Sequence, residues 1–151
     1  MRKRILWLIV VAVLCVGALY AYKEFVRTRE DSRSMNARFT VNADEILKEF
    51  IANEESARKK YAGNELIIAI NGPVKELNHG QSGSYSVVLG DSSSESSVIC
   101  LLDSIYQEEI KSLKINDQVQ LKGRFNGFKA DDLGIGSDLE LNFCVIEKKS
   151  K

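Results

Sequence analysis

The chain has 151 residues, enough for one domain with appendages. Its 21 basic and 21 acidic residues cancel overall, but unevenly: before Thr40 stand eight Lys or Arg against three acids, whereas residues 40–147 carry ten basic and eighteen acidic side chains. Nucleic-acid binders neutralise phosphates with a basic footprint, so this acidic domain argues against nucleic acid as a partner.

Between Ile5 and Tyr22 there is no charge, no proline and one glycine. A helix of this length, at about 1.5 Å per residue, spans roughly 27 Å, close to the hydrocarbon thickness of a bilayer. Arg2, Lys3 and Arg4 precede the span, Lys23 follows it, and Trp7, Tyr20 and Tyr22 stand near its two ends, where aromatic belts sit. The pattern predicts an uncleaved single-pass anchor with its N-terminus inside and the following domain outside the cytoplasm. The alternative is an export signal cleaved near Val16-Gly17-Ala18, giving a secreted domain. Residues 23–40 read as a charged, solvated linker.

Asn42 with Glu45 three residues on forms a capping-box pattern, and Val41 with Ile46 can staple the same helix start. Ile46, Leu47, Phe50, Ile51, Ala57 and Tyr61 recur at helical spacing, which predicts one amphipathic helix over residues 43–62. Gly63 supplies the left-handed stop expected there. Its apolar stripe is expected to lie over an open end or flank of the strands that come after it.

Leu66 to Val74 is an almost unbroken apolar run interrupted by Gly72, partly echoed by residues 119–125 with Gly123 in the same slot. Glycine inside a strand marks a bulge or a corner, and two such strands predict a curled, nearly closed sheet. Residues 78–83 read as a loop, 85–89 as a strand, and 90–97 as a serine-rich turn. A third strand covers 98–102, and Ser104 is placed to cap a short helix bearing Ile105, Ile110 and Leu113. Asn116-Asp117 turns into the Gly123 strand, 127–138 reads as loop, and 139–146 alternates as the last strand. The expected class is mainly β with added helices: a five-stranded Greek-key barrel of the OB type, preceded by one long amphipathic helix and an N-terminal transmembrane helix.

The run from Asn53 through Ala57 and Tyr61 to Gly63, the Gly72 strand, Val98 and Cys100, the Val119 to Gly123 strand and Cys144 together resemble the bacterial tRNA_anti-like family of OB-fold proteins, over about 41–146. The resemblance implies an OB barrel with an added N-terminal helix, often behind an export signal or anchor, and no established activity. One departure is Asn116, where OB-folds often place glycine; asparagine tolerates the same backbone. The expected organisation is an anchor over 1–22, a linker over 23–40, the OB domain over 41–147 and a basic tail over 148–151. A bacterial inner-membrane location follows from it, with the domain in the periplasm or outside the cell.

Residues with catalytic character are sparse. His79 is the one histidine and has no Cys or acid at ligand spacing beside it, so it reads as an exposed loop residue. The acids Asp131, Asp132, Asp138 and Glu140 match no calcium-loop spacing. No phosphate-cradling glycine loop opens a helix. No cofactor, metal or catalytic residue is therefore expected, and the chain reads as a non-enzymatic binding module for a protein, peptide, glycan or other envelope component. The alternative is a single-stranded nucleic-acid binder, for which Tyr85, Phe125, Phe128 and Phe143 would form the stacking face.

Cys100 and Cys144 fall on the third and fifth expected strands, neighbours in an OB barrel, with compatible side-chain parity. In an oxidising compartment a disulfide between them is expected. Two free thiols used as small core residues are the alternative.

Overall fold

A computed structural model describes residues 13, 15–22, 32–63, 66–80, 83–131 and 135–150. The chain divides into two compact units, residues 1–31 and 32–151. In the first, residues 15–22 are helical with exposed side chains. Residues 5–12 and 14 of the expected span over 5–22, and residues 23–31 of the expected linker, lie outside the described residues. Among the described residues no helix is long and apolar enough to cross a membrane.

The second unit starts earlier than the expected residue 41. Arg33 donates to both carboxylate oxygens of Glu109 at 2.7 Å and lies 4.0 Å over the ring of Tyr106. The Arg38 N–H donates to the Ile67 carbonyl at 2.8 Å. Residues 32–38 are thus a strap against the barrel rather than solvated linker.

Strand β1 (Phe39–Asn42) follows and pairs in parallel with β2 (Ile68–His79). It is a sixth strand that the sequence did not announce, because four residues ahead of a helix carry too little alternation. Helix α1 (Ala43–Ala52) begins at Asn42, whose N–H donates to the Glu45 carboxylate at 3.3 Å. The single long helix expected over 43–62 is instead two, with α2 (Glu54–Tyr61) starting afresh at Asn53. Asn53 has extended backbone, and its side-chain oxygen accepts the Ser56 N–H at 3.0 Å. Asparagine at this point offers the chain a cap in place of a further helical turn, and the cap prevails. The break swings Ile51 out of the stripe to 58% exposure, while Ile46, Leu47, Phe50, Ala57 and Tyr61 stay buried. Gly63 is not left-handed; the chain leaves α2 through extended backbone at Ala62.

Strands β3 (Tyr85–Leu89), β4 (Ser97–Leu102), β5 (Gln118–Lys129) and β6 (Asp138–Ser150) complete the sheet. Its order is β1-β2-β3-β4-β6-β5, and pairing of β2 with β5 closes β2 to β6 into a barrel. All ladders are antiparallel except β1·β2 and β4·β6. Strand β2 serves two partners. Its stretch from Ile68 to Pro73 pairs with β5, and that from Val74 to His79 pairs with β3, the register shifting between Val74 and Glu76. Proline has no N–H to donate, which suits the changeover. Gly72 just before it also makes room for a helix. A β-carbon there would lie 3.1 Å from Ala43 Cβ, so the glycine lets α1 approach the strand.

Three strands outrun their expected bounds because a partner is there to pair with. His79 pairs with Tyr85, inside the expected loop over 78–83. Residues 127–129 pair with 138–140, inside the expected loop over 127–138. Lys148, Lys149 and Ser150, expected as a tail, pair with Gln120, Val119 and Gln118. The short helix is a 3-10 helix, Gln107–Ser112, and Asp103 rather than Ser104 starts its turn by accepting the Ile105 N–H at 3.1 Å. Ile110 and Leu113 are buried as expected, whereas Ile105 is exposed.

The core fills the barrel with Ile68, Ile70, Val74, Val87, Leu89, Val98, Leu121, Leu139 and Leu141, and the apolar faces of α1 and α2 cover one end. Phe50 is the hub of that cover: its ring lies 5.2 Å from Phe125, 5.0 Å from Phe128 and 6.0 Å from Tyr61. Aromatic contacts at these distances add about 0.5–1.5 kcal/mol each beyond the area they bury.

Candidate functional site

The most informative irregularity lies on β6. Opposite β5, Lys122 pairs with Val145 and Arg124 with Asn142, so two steps along one strand meet three along the other. On the other side, Cys100 pairs with Leu141 and Leu102 with Cys144, again two steps against three. Both neighbours register one extra residue in β6, a bulge at Phe143. Phe143 has φ +53° and is 53% exposed, between the half-buried Asn142 and the buried Cys144. A bulky non-glycine residue in left-handed backbone is strained by about 1–3 kcal/mol, and such strain clusters at binding sites.

Beside the bulge, a cleft of about 550 Å³ lies between the end of α2 and β5·β6, lined by Ala62, Gly63, Arg124, Phe125, Asn126, Asn142 and Phe143. Among the described residues no acid lines it. Arg124 and Asn142 are direct cross-strand partners. Arg124 Nε and Asn142 Oδ1 are both buried without a hydrogen-bond partner. The Arg124 Nη2 group reaches only Met35 Sδ, at 3.3 Å. A thioether is a weak acceptor, so the guanidinium charge is poorly matched. The cations of α2 and Lys122 of β5 are ion-paired: Arg58 with Glu54 at 2.6 Å, Lys59 with Glu55 at 2.7 Å, Lys60 with Glu49 at 2.8 Å and Lys122 with Glu147 at 2.5 Å. The Lys60 partnership also lowers the Glu49 carboxyl and raises the Lys60 ammonium.

The structure separates the four expected stacking aromatics. Phe128 is buried and packs on Phe50, so it presents no face to a ligand. Phe125 is shared: it packs on Phe50, has the Arg58 guanidinium 5.7 Å from its ring, and lines the cleft. Phe143 faces the same cleft. Tyr85 stands elsewhere, at the end of β2·β3, stacked on His79 at 4.3 Å. Arg124, Asn126 and Asn142 were not singled out by sequence. The available signal was the run Phe143-Cys144-Val145-Ile146, four apolar residues that cannot all obey a two-residue period.

Cys100 and Cys144 are both buried free thiols, where a disulfide was expected. The two strands are neighbours, as anticipated, but they run parallel and the bulge sets Cys144 opposite Leu102 rather than Cys100. The thiols still adjoin: burial pushes the Cys144 thiol well up, and a hydrogen bond with Cys100 adds to the rise.

His79 is exposed. Among the described residues no group of three His, Cys, Asp or Glu is arranged to hold a metal. The loop acids engage their own neighbourhood: Asp131 accepts the Ile135 N–H at 2.9 Å, and Glu140 accepts from Lys129 at 2.5 Å. Burial pushes the Asp138 carboxyl up. Asp132 lies outside the described residues.

Among solved structures, the chain is similar to a "putative nucleic acid-binding lipoprotein" from Klebsiella pneumoniae, with 17% identity over 72% of this chain and 91% of that one, at TM-score 0.52. It is similar at TM-score 0.39 to Entamoeba histolytica asparaginyl-tRNA synthetase, with 13% identity over 56% of this chain and 21% of that enzyme. A further likeness, at TM-score 0.38, is to an OBody bound to hen egg-white lysozyme, with 20% identity over 56% of this chain and 98% of that one. No curated protein matches the chain. Its barrel is that of an OB-fold, and with the family model matched across residues 1–135, the chain belongs to the tRNA_anti-like family.

Proposed function

We propose that this chain is a non-enzymatic OB-fold binding module, anchored in the bacterial inner membrane with its barrel outside the cytoplasm, that takes a protein or peptide partner in the Phe143 cleft. The anchoring rests on the uncharged span behind Arg2, Lys3 and Arg4. The binding reading rests on one observation: a strained, half-exposed Phe143 beside a buried donor on Arg124 and a buried acceptor on Asn142, neither with a partner. Unpaired buried polar groups cost about 1–3 kcal/mol each, and a ligand that pairs them recovers that cost.

A second reading, single-stranded nucleic acid, draws on the name of the Klebsiella protein and on Phe143 as a stacking ring. Against it stand eighteen acids to ten bases over residues 40–147 and the ion pairs that neutralise the cations of α2 and Lys122 of β5. Stacking on one exposed ring, at about 1–3 kcal/mol per base, has little electrostatic help here.

Placing a photo-crosslinking amino acid at Asn126, on the exposed rim of the cleft, in the full-length chain in cells tests the choice. A discrete adduct that protease removes and nuclease leaves supports the module. A nuclease-sensitive adduct transfers the reading to nucleic acid.

A further inference from the structure

The proposed binding role leaves the ligand's chemistry open, and the cleft's unpaired atoms narrow it. The Nε and Nη2 groups of an arginine form one edge of its planar guanidinium, able to hold a carboxylate side-on through two parallel N–H···O bonds. On Arg124 that edge is nearly unused: Nε has no partner and Nη2 touches only the Met35 sulfur. Directly across the ladder, Asn142 Oδ1 is a buried acceptor with no donor. Cross-strand partners hold their β-carbons about 4.5–5.5 Å apart, so one small group can meet both. The ligand must therefore offer two coplanar acceptors and, an atom or two away, an N–H.

Resting on the binding reading above, we infer that Arg124 and Asn142 capture the free C-terminus of a protein partner, the terminal carboxylate lying side-on against Arg124 and the terminal residue's N–H donating to Asn142 Oδ1. A chain end carries both groups on a single residue with one carbon between them. That spacing is tighter than the two carbons of an internal aspartate, a group that the amide-ended probe below does not supply either. The terminal side chain then meets Phe125 and Phe143, which favours an apolar or aromatic last residue. Among the described residues no acid of the lining competes for the Arg124 charge, which leaves it for one incoming anion. Met35 is the residue displaced, and its thioether is an easy group to displace because it is a poor acceptor for a cation.

A phosphodiester can also occupy an arginine edge. One unneutralised cation is a weak basis for polyanion binding, which depends on releasing several counterions at once.

The test uses the full-length chain in detergent micelles and fluorescence anisotropy with three probes. These are a labelled hexapeptide ending in phenylalanine with a free carboxylate, the same peptide ending in a carboxamide, and a labelled single-stranded oligonucleotide. The free acid is expected to bind about tenfold or more tighter than the amide, the usual scale for a charge-assisted pair. Arg124→Gln is expected to erase that difference, and Arg124→Lys to restore only part of it, since lysine keeps the charge without the fork. Met35→Ala is the guard against misfolding: it clears the Arg124 edge and should tighten the free acid by a few-fold, a gain that a damaged fold does not produce. Equal binding of acid and amide by the native chain overturns the inference, as does tighter binding of the oligonucleotide with a steep salt slope. A protease-sensitive adduct at Asn126 that persists in Arg124→Gln would sink the carboxylate inference while leaving the binding module standing. No adduct and no peptide binding sink both.

Discussion

A β-carbon placed on Gly123 would lie 2.5 Å from the sulfur of Cys144. The contact ties the glycine of β5 to the bulge of β6. One extra residue in β6 turns Phe143 out, brings Cys144 into the barrel, and needs the space that a side chain on Gly123 would take. The Asn142 carbonyl and Leu141 Cβ, each 3.2 Å from the same point, close off any escape.

Gly123→Ala is accordingly expected to cost about 1–3 kcal/mol, the range for overpacking a tight core. Cys144→Ala removes the nearest obstacle, so the double variant should be destabilised by less than the sum of the two single changes. Urea denaturation of all three variants measures the coupling. Strict additivity would mean that the sulfur is not what excludes the side chain.

Phe143 separates stability from binding. Asparagine accepts left-handed backbone at little cost, so Phe143→Asn should leave the domain as stable or more stable by up to about 1 kcal/mol. The same change removes an aromatic wall of the cleft, and peptide affinity should fall. A variant that loses stability without losing affinity would assign Phe143 to the fold alone.

The buried thiols predict both reactivity and a pH trend. In the reduced, folded chain Cys100 and Cys144 should resist alkylation until denaturant is added, because both sulfurs are buried out of reach of the reagent. The folded value of Cys144 is raised, so the associated stability is whole below the ordinary thiol value and is lost as pH climbs from there toward the raised one. Denaturation midpoints should therefore hold level through neutral pH and drop on the alkaline side. If the barrel faces an oxidising compartment, as proposed, chain taken from membranes without reductant should show the pair bridged in alkylation mass spectrometry. Two alkylated cysteines after unfolding would place it in a reducing one.

Asn53 divides α1 from α2 by capping the second helix. Asn53→Ala should cost about 1 kcal/mol, the usual worth of an N-cap, read as a fall in Tm. Asn53→Asp, which keeps the acceptor, should restore it. Failure of that rescue would mean that the break is imposed by packing of Tyr61 and Phe50 rather than by the cap.

The sequence alone determined the class of fold, because period and punctuation are local. Alternating apolar runs, two in-strand glycines and a capping box at Asn42 and Glu45 settle which segments pair, bend and start helices, and their order is that of an OB barrel. It also determined the uneven charge and the dearth of histidine, which bear on partner class. The tertiary structure decided what depends on meeting a partner strand: β1, the ends of β2, β5 and β6, and the bulge at Phe143. A bulge is one residue out of phase. The apolar run from Phe143 to Ile146 shows that the period of β6 breaks, without fixing which residue slips until β4 and β5 are laid beside it. The cleft depends on the same event. Arg124 and Asn142 lie 18 positions apart in the sequence, and only the shifted register of β5 against β6 sets an unpaired donor opposite an unpaired acceptor, with a phenylalanine ring turned out beside them.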